Sequence, residues 1–318
     1  MWKYRCDRRT FLRAAAALGA LAATGRATAA EAQAPASDKG SPMKQAICHY
    51  SFHRRSAAEK WTPDRLAQEV RALGVEGIDF HARLLGTTEG LAQEVTAAVA
   101  RHGLVLSSLS LGTNFNRPKA DEFQAEIETT RQWIQFAAKV KAPVSRIFGG
   151  GLSAAERKDP AAGAAARQRM IDGVAAVTKE AAQCGLVLAI ENHGGLPCTA
   201  EEQIAVIRAI NSPALRATID VGNYRDGGQE GDVATALVAP YAAYVHFKDS
   251  KKAPDPSKPW GYRTTGTVLG EGDVNLAGCV AALRKAGYAG FVALEYEGPE
   301  DETTGVPRSV AAMKKLLA

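Results

Sequence analysis

The chain has 318 residues, of which 46% are hydrophobic and 23% are charged, and its formal net charge is +5 at pH 7. Residues 1–32 hold six Lys or Arg and two Asp or Glu, so this segment accounts for +4 of that charge. The remainder is almost neutral and has no electrostatic footprint for nucleic acid, so no nucleic-acid partner is expected.

An export signal is predicted at residues 1–34. A basic head precedes a short Ala-rich apolar stretch at residues 14–23, and sites with small residues follow it. The head contains four arginines, which are Arg5, Arg8, Arg9 and Arg13. The apolar stretch is too short and too weakly apolar to span a membrane, so no stable membrane anchor is expected.

The segment at residues 7–13 resembles the twin-arginine export signal, because the pair Arg8 and Arg9 is followed closely by Phe and Leu. It departs from the usual pattern at Asp7, where Ser or Thr is commoner. A basic amphipathic leader of another kind is the alternative. We expect a periplasmic or extracellular protein that uses the twin-arginine route, with a disordered linker at residues 35–44.

The rest of the sequence predicts eight strands that alternate with eight helices. The strands are predicted at residues 47–52, 77–80, 104–111, 144–148, 186–191, 215–220, 241–246 and 291–295. The helices are predicted at residues 63–73, 88–102, 120–141, 161–184, 200–210, 233–238, 276–286 and 307–317. Alternation implies parallel strands, and eight of them close into a barrel. We therefore predict a single-domain (β/α)8 TIM barrel at residues 45–318, with a doubly wound open sheet as the alternative.

Four successive strands end in a side chain that can bind a metal ion: Glu191, Asp220, His246 and Glu295. In a barrel these strand ends converge on one point. Three carboxylates and one imidazole, without a thiolate, suit one hard-to-borderline divalent ion, so Mn²⁺, Mg²⁺ or Co²⁺ is favoured over Zn²⁺. The alternative is that a carboxylate at a strand end forms a structural salt bridge.

Six further residues are candidates for substrate binding: His49, His81, His193, Lys248, Trp260 and Arg263. The first two lie at or near the ends of the first two strands, and the next two each lie two residues beyond a predicted ligand. The last two lie in a loop predicted at residues 250–270. There Trp260 could stack on a sugar ring and Arg263 could bind an anionic or hydroxyl group. The alternatives are core or loop histidines, a salt bridge at the rim and surface packing.

Four cysteines follow the predicted signal, at positions 48, 184, 198 and 279. They show no CxxC or zinc-type spacing, and a chain of this size does not need disulfides for stability. We expect free thiols, with Cys184 and Cys279 as small buried residues of helices.

Five motifs together resemble the xylose isomerase-like barrel superfamily, and within it the sugar-phosphate isomerase/epimerase group. They are Ile-Glu-Asn at 190–192, Ile-Asp-Val-Gly-Asn at 219–223, Val-His-Phe-Lys-Asp at 245–249, Leu-Gly-Glu-Gly-Asp at 269–273 and Leu-Glu-Tyr-Glu-Gly at 294–298. The resemblance covers residues 45–318 and implies a metal held by the four strand-end residues, with an active site at the C-terminal face. The chain departs from the family at Asn223, where His is common, and at Pro197, near which some ketose epimerases carry a further Glu.

The resemblance implies a metal-dependent isomerase or epimerase that acts on a sugar or sugar derivative. Glu191 and Glu295 would transfer the protons through an enediolate. A metal-dependent lyase or hydratase on keto-glycosides remains an open alternative, and export and near-neutral charge disfavour a hydrolase like the abasic-site endonucleases. The expected partner is a small-molecule sugar, and assembly into a homo-oligomer is left open.

Overall fold

The computed structural model describes residues 42–87 and 89–318, so the predicted export signal and the linker as far as residue 41 lie outside the described residues. Ten strands are present in the described part. They are β1 (Lys44–Cys48), β2 (Gly77–His81), β3 (Val105–Ser110), β4 (Val144–Ile147), β5 (Val187–Glu191), β6 (Leu215–Asp220), β7 (Ala242–Phe247), β8 (Asp249–Pro254), β9 (Tyr262–Thr267) and β10 (Phe291–Leu294).

Eight of these strands form one parallel sheet in the order β3, β2, β1, β10, β7, β6, β5, β4. The two end strands approach each other, and the backbone N–H of Leu111 donates to the carbonyl oxygen of Arg146 at 2.7 Å. The sheet is therefore a nearly closed barrel, and the predicted single-domain TIM barrel is confirmed. Strands β8 and β9 pair antiparallel in a separate hairpin.

Eleven α-helices accompany the strands within the described ranges. They are α1 (His53–Ala58), α2 (Pro63–Ala72), α3 (Ala82–Leu85), α4 (Leu91–Arg101), α5 (Ala120–Lys139), α6 (Ala154–Lys158), α7 (Pro160–Gln183), α8 (Ala200–Ile210), α9 (Gly231–Val238), α10 (Leu276–Lys285) and α11 (Glu302–Leu317). Helix α2 starts as its sequence predicts, because Pro63 is its first residue and the Thr62 hydroxyl accepts from the backbone N–H of Arg65 at 3.2 Å. None of the helices described is long and apolar enough to cross a membrane.

Side chains alternate along each barrel strand between the helices outside and the barrel interior. The interior contains a small apolar cluster of buried residues: Ala46, Val144, Ala189, Tyr244 and Ala293. Two residues further along their strands, the inward positions carry polar side chains instead. The change from apolar to polar places the chemistry at the C-terminal end of the barrel, as in other TIM barrels.

Several elements differ from their sequence predictions: the short helices α1, α3 and α6 were not predicted, and α11 begins at Glu302 and not at residue 307. The first strand ends at Cys48, and the predicted remainder forms a 3-10 helix (His49–Phe52), because Ser51 ties the chain to the end of β10. Its hydroxyl donates to the carbonyl oxygen of Leu294 and accepts from the backbone N–H of Tyr296, both at 2.9 Å. The loop predicted at 250–270 is largely the β8–β9 hairpin.

Candidate active site

The C-terminal ends of four barrel strands bring the predicted metal ligands together. Glu191 and Asp220 are the last residues of β5 and β6, His246 is the penultimate residue of β7, and Glu295 directly follows β10. One ligand atom from each side chain lies within 4.8 Å of the others, and all four residues are buried. We call these four residues the ligand cluster.

Three members of the ligand cluster have a buried atom without a hydrogen-bond partner: Oε2 of Glu191, Oδ2 of Asp220 and Nδ1 of His246. An unsatisfied buried polar atom costs about 1–3 kcal/mol, so a folded protein rarely gathers several in one place without a ligand to satisfy them. Oxygen and imidazole donors are ligands for divalent cations. The residues present therefore fit a divalent metal ion.

The buried charges around the ligand cluster support the same fit. The carboxylates are those of Asp79, Glu191, Asp220 and Glu295, and the buried cations are Arg146 and Lys248. Metal ligation requires a neutral His246 and ionised carboxylates, and in that state the site has two negative charges in excess, which one divalent ion would neutralise. Burial raises the pKa of Asp220 to about 8, and the neighbouring carboxylates raise it further against the opposing effect of Lys248.

Asp79 of β2, which the sequence analysis did not select, orients the histidine of the cluster. Oδ2 of Asp79 is 3.2 Å from Nε2 of His246 and accepts a hydrogen bond from the Ser110 hydroxyl at 2.7 Å. A carboxylate can only accept, so Nε2 carries a proton, and Nδ1 faces Oε2 of Glu191 at 3.5 Å and Oε2 of Glu295 at 3.8 Å. Burial alone would lower the pKa of His246, but Glu295 and the bond to Asp79 raise it well above its usual value.

Arg146 of β4 is a second residue that sequence reasoning missed. Its Nε is 3.0 Å from Oε2 of Glu191, an ion pair outside hydrogen-bond geometry, and its guanidinium lies 4.0 Å from the Phe148 ring centroid. Burial raises the pKa of Glu191, but Arg146 and His246 together outweigh this effect, so the pKa is lowered and the carboxylate is ionised. The available signal was a charged residue inside a short apolar strand.

Lys248 lies beside the ligand cluster, and its role in substrate binding stays a prediction. Its Nζ is 3.0 Å from Oε2 of Glu295 and 3.2 Å from Oε2 of Glu297, and it donates to Oδ1 of Asn223 at 3.1 Å. Asn223 in turn donates to Oε1 of Glu191 at 3.1 Å. Burial alone would lower the pKa of Lys248, but the carboxylates raise it well above its usual value. It is therefore a fixed positive charge beside the cluster.

The three predicted histidines occupy different surroundings. His81 is buried, with Nδ1 unpartnered, and its pKa is well below the usual value because of burial and the charge of Arg146. His193 is exposed beyond β5, and its ring centroid is 4.3 Å from that of Phe148. His49 contacts α1 and not the ligand cluster, since its Nε2 forms a hydrogen bond with the Ser56 hydroxyl at 2.8 Å. Their roles in substrate binding stay predictions.

Trp260 and Arg263 lie on the β8–β9 hairpin and not among the cluster residues. Trp260 packs against Gly228, where an added Cβ would lie 3.0 Å from its ring. Arg263 is exposed and pairs across the hairpin with Ala253. Their proposed contacts with substrate also stay predictions.

The sequence matches the Xylose isomerase-like TIM barrel family over residues 67–316. The chain belongs to this family. The chain is similar to the L-ribulose-5-phosphate 3-epimerase of Salmonella paratyphi C (strain RKS4594). It is 26% identical over 208 residues, which are 63% of this chain and 68% of that protein.

Two solved structures of other proteins have a barrel similar to that of this chain. One is a xylose isomerase-like TIM barrel protein from Mycobacterium smegmatis in complex with magnesium, with a TM-score of 0.66 and 19% identity over 89% of this chain and 97% of that one. The other is an L-ribulose 3-epimerase, with a TM-score of 0.67 and 17% identity over 86% of this chain and 94% of that one. At these identities the likeness establishes the shared fold alone.

Proposed function

We propose that the protein is a divalent-metal-dependent isomerase or epimerase that acts on a sugar or sugar derivative. The observation that carries the proposal is the ligand cluster, in which two ionised carboxylates from β5 and the end of β10 share one buried site with His246 and Asp220. The similarity to sugar epimerases supports the proposed class of substrate.

Glu191, Asp220, His246 and Glu295 would hold the ion, and their oxygen-rich set favours Mn²⁺, Mg²⁺ or Co²⁺ over a closed zinc site. A bound ion would supply positive charge to a substrate carbonyl oxygen, which becomes negative when a proton leaves the neighbouring carbon. Lys248, whose Nζ is also 3.4 Å from Oδ2 of Asp220, adds a second fixed positive charge to the same place.

Glu191 and Glu295 are the proton carriers in this proposal. Burial would raise the pKa of Glu295, but Lys248, His246 and Arg146 hold it well below its usual value. Both carboxylates are therefore ionised and can accept a proton. One carboxylate removes the proton from the substrate carbon. The other takes up a proton from water and gives it to the opposite face, which epimerises the centre, whereas return of the first proton to the adjacent carbon isomerises the sugar.

The test is incubation of the Mn²⁺-loaded protein with a panel of free sugars and keto sugars in deuterated water, followed by NMR. We expect deuterium at the carbon next to the carbonyl together with a new epimer or isomer, and loss of both after treatment with a chelator. An unsaturated or aglycone product would assign the protein to the lyases or hydratases. Absence of exchange with every sugar would overturn the proposal.

A further inference from the structure

A thiol lies beside the ligand cluster, although the cysteines have no zinc-type spacing along the chain. Cys48 is the last residue of β1, is fully buried, and has its Sγ 3.8 Å from Oε1 of Glu295. Ligand atoms of Cys48, His246 and Glu295 all lie within 4.8 Å of one another. The barrel thus holds a second combination of ligand atoms that shares two residues with the first.

The spacing of these atoms suits a single ion. With a metal–sulfur bond of about 2.3 Å and a metal–oxygen bond of about 2.1 Å, neighbouring ligand atoms in a tetrahedral site stand about 3.6 Å apart. The Sγ–Oε1 separation of 3.8 Å is close to that value. His246 is fully buried, and its Nδ1 has no hydrogen-bond partner and faces Oε2 of Glu295 at 3.8 Å, which gives an independent indication that the site is built to receive a ligand.

We propose that Cys48, His246 and Glu295 form a second ligand set, which binds thiophilic divalent ions such as Zn²⁺ and Cd²⁺. On binding, the S–H bond of Cys48 breaks, a metal–sulfur bond forms and the proton leaves to solvent. The proposal rests on the proposed metal centre, because His246 and Glu295 belong to both sets.

The two ligand sets would give the centre two different metal preferences. Mg²⁺ and Mn²⁺ prefer oxygen donors and gain little from sulfur, so they would use Asp220 and Glu191. A softer ion gains a thiolate by shifting toward Cys48. Since the shared residues cannot serve two ions fully, a thiophilic ion should displace the activating ion instead of adding to it.

The experiment is titration of the metal-free full chain with Cd²⁺, followed by the ultraviolet charge-transfer absorption of a cadmium–thiolate bond. Cys48→Ser is the test variant. Cys279→Ser is the matched control, because Cys279 is an equally buried free cysteine in α10. We expect the band in wild type and in Cys279→Ser and its loss in Cys48→Ser. The Cd²⁺ dissociation constant should rise at least roughly tenfold in Cys48→Ser, while that of Mn²⁺ changes by less than about twofold.

Two results would overturn the inference. A band that persists in Cys48→Ser would show that another cysteine supplies the thiolate. Cd²⁺ binding to the wild-type protein without a band would show that only carboxylate and imidazole ligands hold the ion. Calorimetric titration of wild type with Mn²⁺ separates this failure from that of the proposed function. Mn²⁺ binding without a cadmium band refutes only the thiol set, whereas absence of Mn²⁺ binding refutes the metal centre itself. Cys48→Ala repeats the test if the serine variant does not fold by circular dichroism.

Discussion

Asp79 determines which nitrogen of His246 faces the ligand cluster, because its carboxylate holds the proton on Nε2. Replacing Asp79 with Leu should weaken Mn²⁺ binding by roughly 10–100-fold, the usual effect of losing the partner of a metal-binding histidine. Asp79→Asn keeps an oxygen acceptor and should retain most of the affinity. Isothermal titration calorimetry checks both values. If a folded Asp79→Leu protein binds Mn²⁺ as tightly as Asp79→Asn, Asp79 contributes packing and not orientation.

Glu295 and the exposed Glu297 provide a matched pair, since both contact Nζ of Lys248 but only Glu295 belongs to the ligand cluster. Glu295→Gln should lower the chemical rate by roughly 10²–10⁴-fold, the usual contribution of a general acid–base group. Glu297→Gln should change it far less. Single-turnover kinetics, together with metal analysis of each variant, measures the effect. A Glu295→Gln protein with its metal and near-normal turnover would refute the role of Glu295 as a proton carrier.

His49 makes the stability of the fold depend on pH, because burial lowers its pKa from 6.5 to about 3. Between these values the unfolded chain binds a proton that the folded chain does not, so the free energy of unfolding rises with pH and levels off above the unfolded value. At about pH 5 this group should cost about 2 kcal/mol relative to neutral pH. Urea unfolding at both pH values should show a correspondingly smaller loss in His49→Gln. An equal loss in both proteins would refute this assignment.

The β8–β9 hairpin is the pair of strands that sequence patterning missed. Its strands, Asp249–Pro254 and Tyr262–Thr267, are rich in Lys and Thr, and most of their residues are at least partly exposed. Neither face of the hairpin is apolar, so there is no alternation of apolar and polar residues from which strands are predicted. Its prolines favoured a loop instead. Pairing between the two segments, which sequence alone does not show, creates the element.

Asp249 anchors this hairpin to the segment that returns to the barrel. Its carboxylate accepts hydrogen bonds from the backbone N–H groups of Ser250, Gly270, Gly272 and Val274 at 2.8–3.2 Å. Hydrogen bonds to a buried charge are worth more than neutral ones, so Asp249→Ala should lower the free energy of unfolding by roughly 2–4 kcal/mol. Asp255→Ala, at the exposed turn of the hairpin, should cost less than about 1 kcal/mol. Similar urea midpoints for the two variants would contradict the anchoring role.

The barrel as a whole was predictable because alternating strands and helices permit few architectures. The ligand cluster was indicated for the same reason, since all four residues end strands of one parallel sheet. Asp79, Arg146 and Cys48 were not selected, because they lie in strands from the first half of the chain. Arg146 and Cys48 reach the cluster because β4 pairs with β5 and β1 pairs with β10, whereas Asp79 on β2 reaches His246 only across the curled sheet. These contacts depend on strand pairing and curvature, which no local pattern encodes.

We propose that the whole molecule is exported already folded, by the twin-arginine route that residues 7–13 resemble. The ligands come from β5, β6, β7 and the end of β10, so the metal centre exists only in a closed barrel and could be loaded before export. Changing Arg8 and Arg9 to Lys should leave unprocessed precursor in the cytoplasm, whereas changing Arg5 and Arg13 to Lys, which preserves the pair, should not. Cell fractionation with immunoblotting measures the two forms. Processed protein outside the cytoplasm in the Arg8→Lys, Arg9→Lys variant would refute this route.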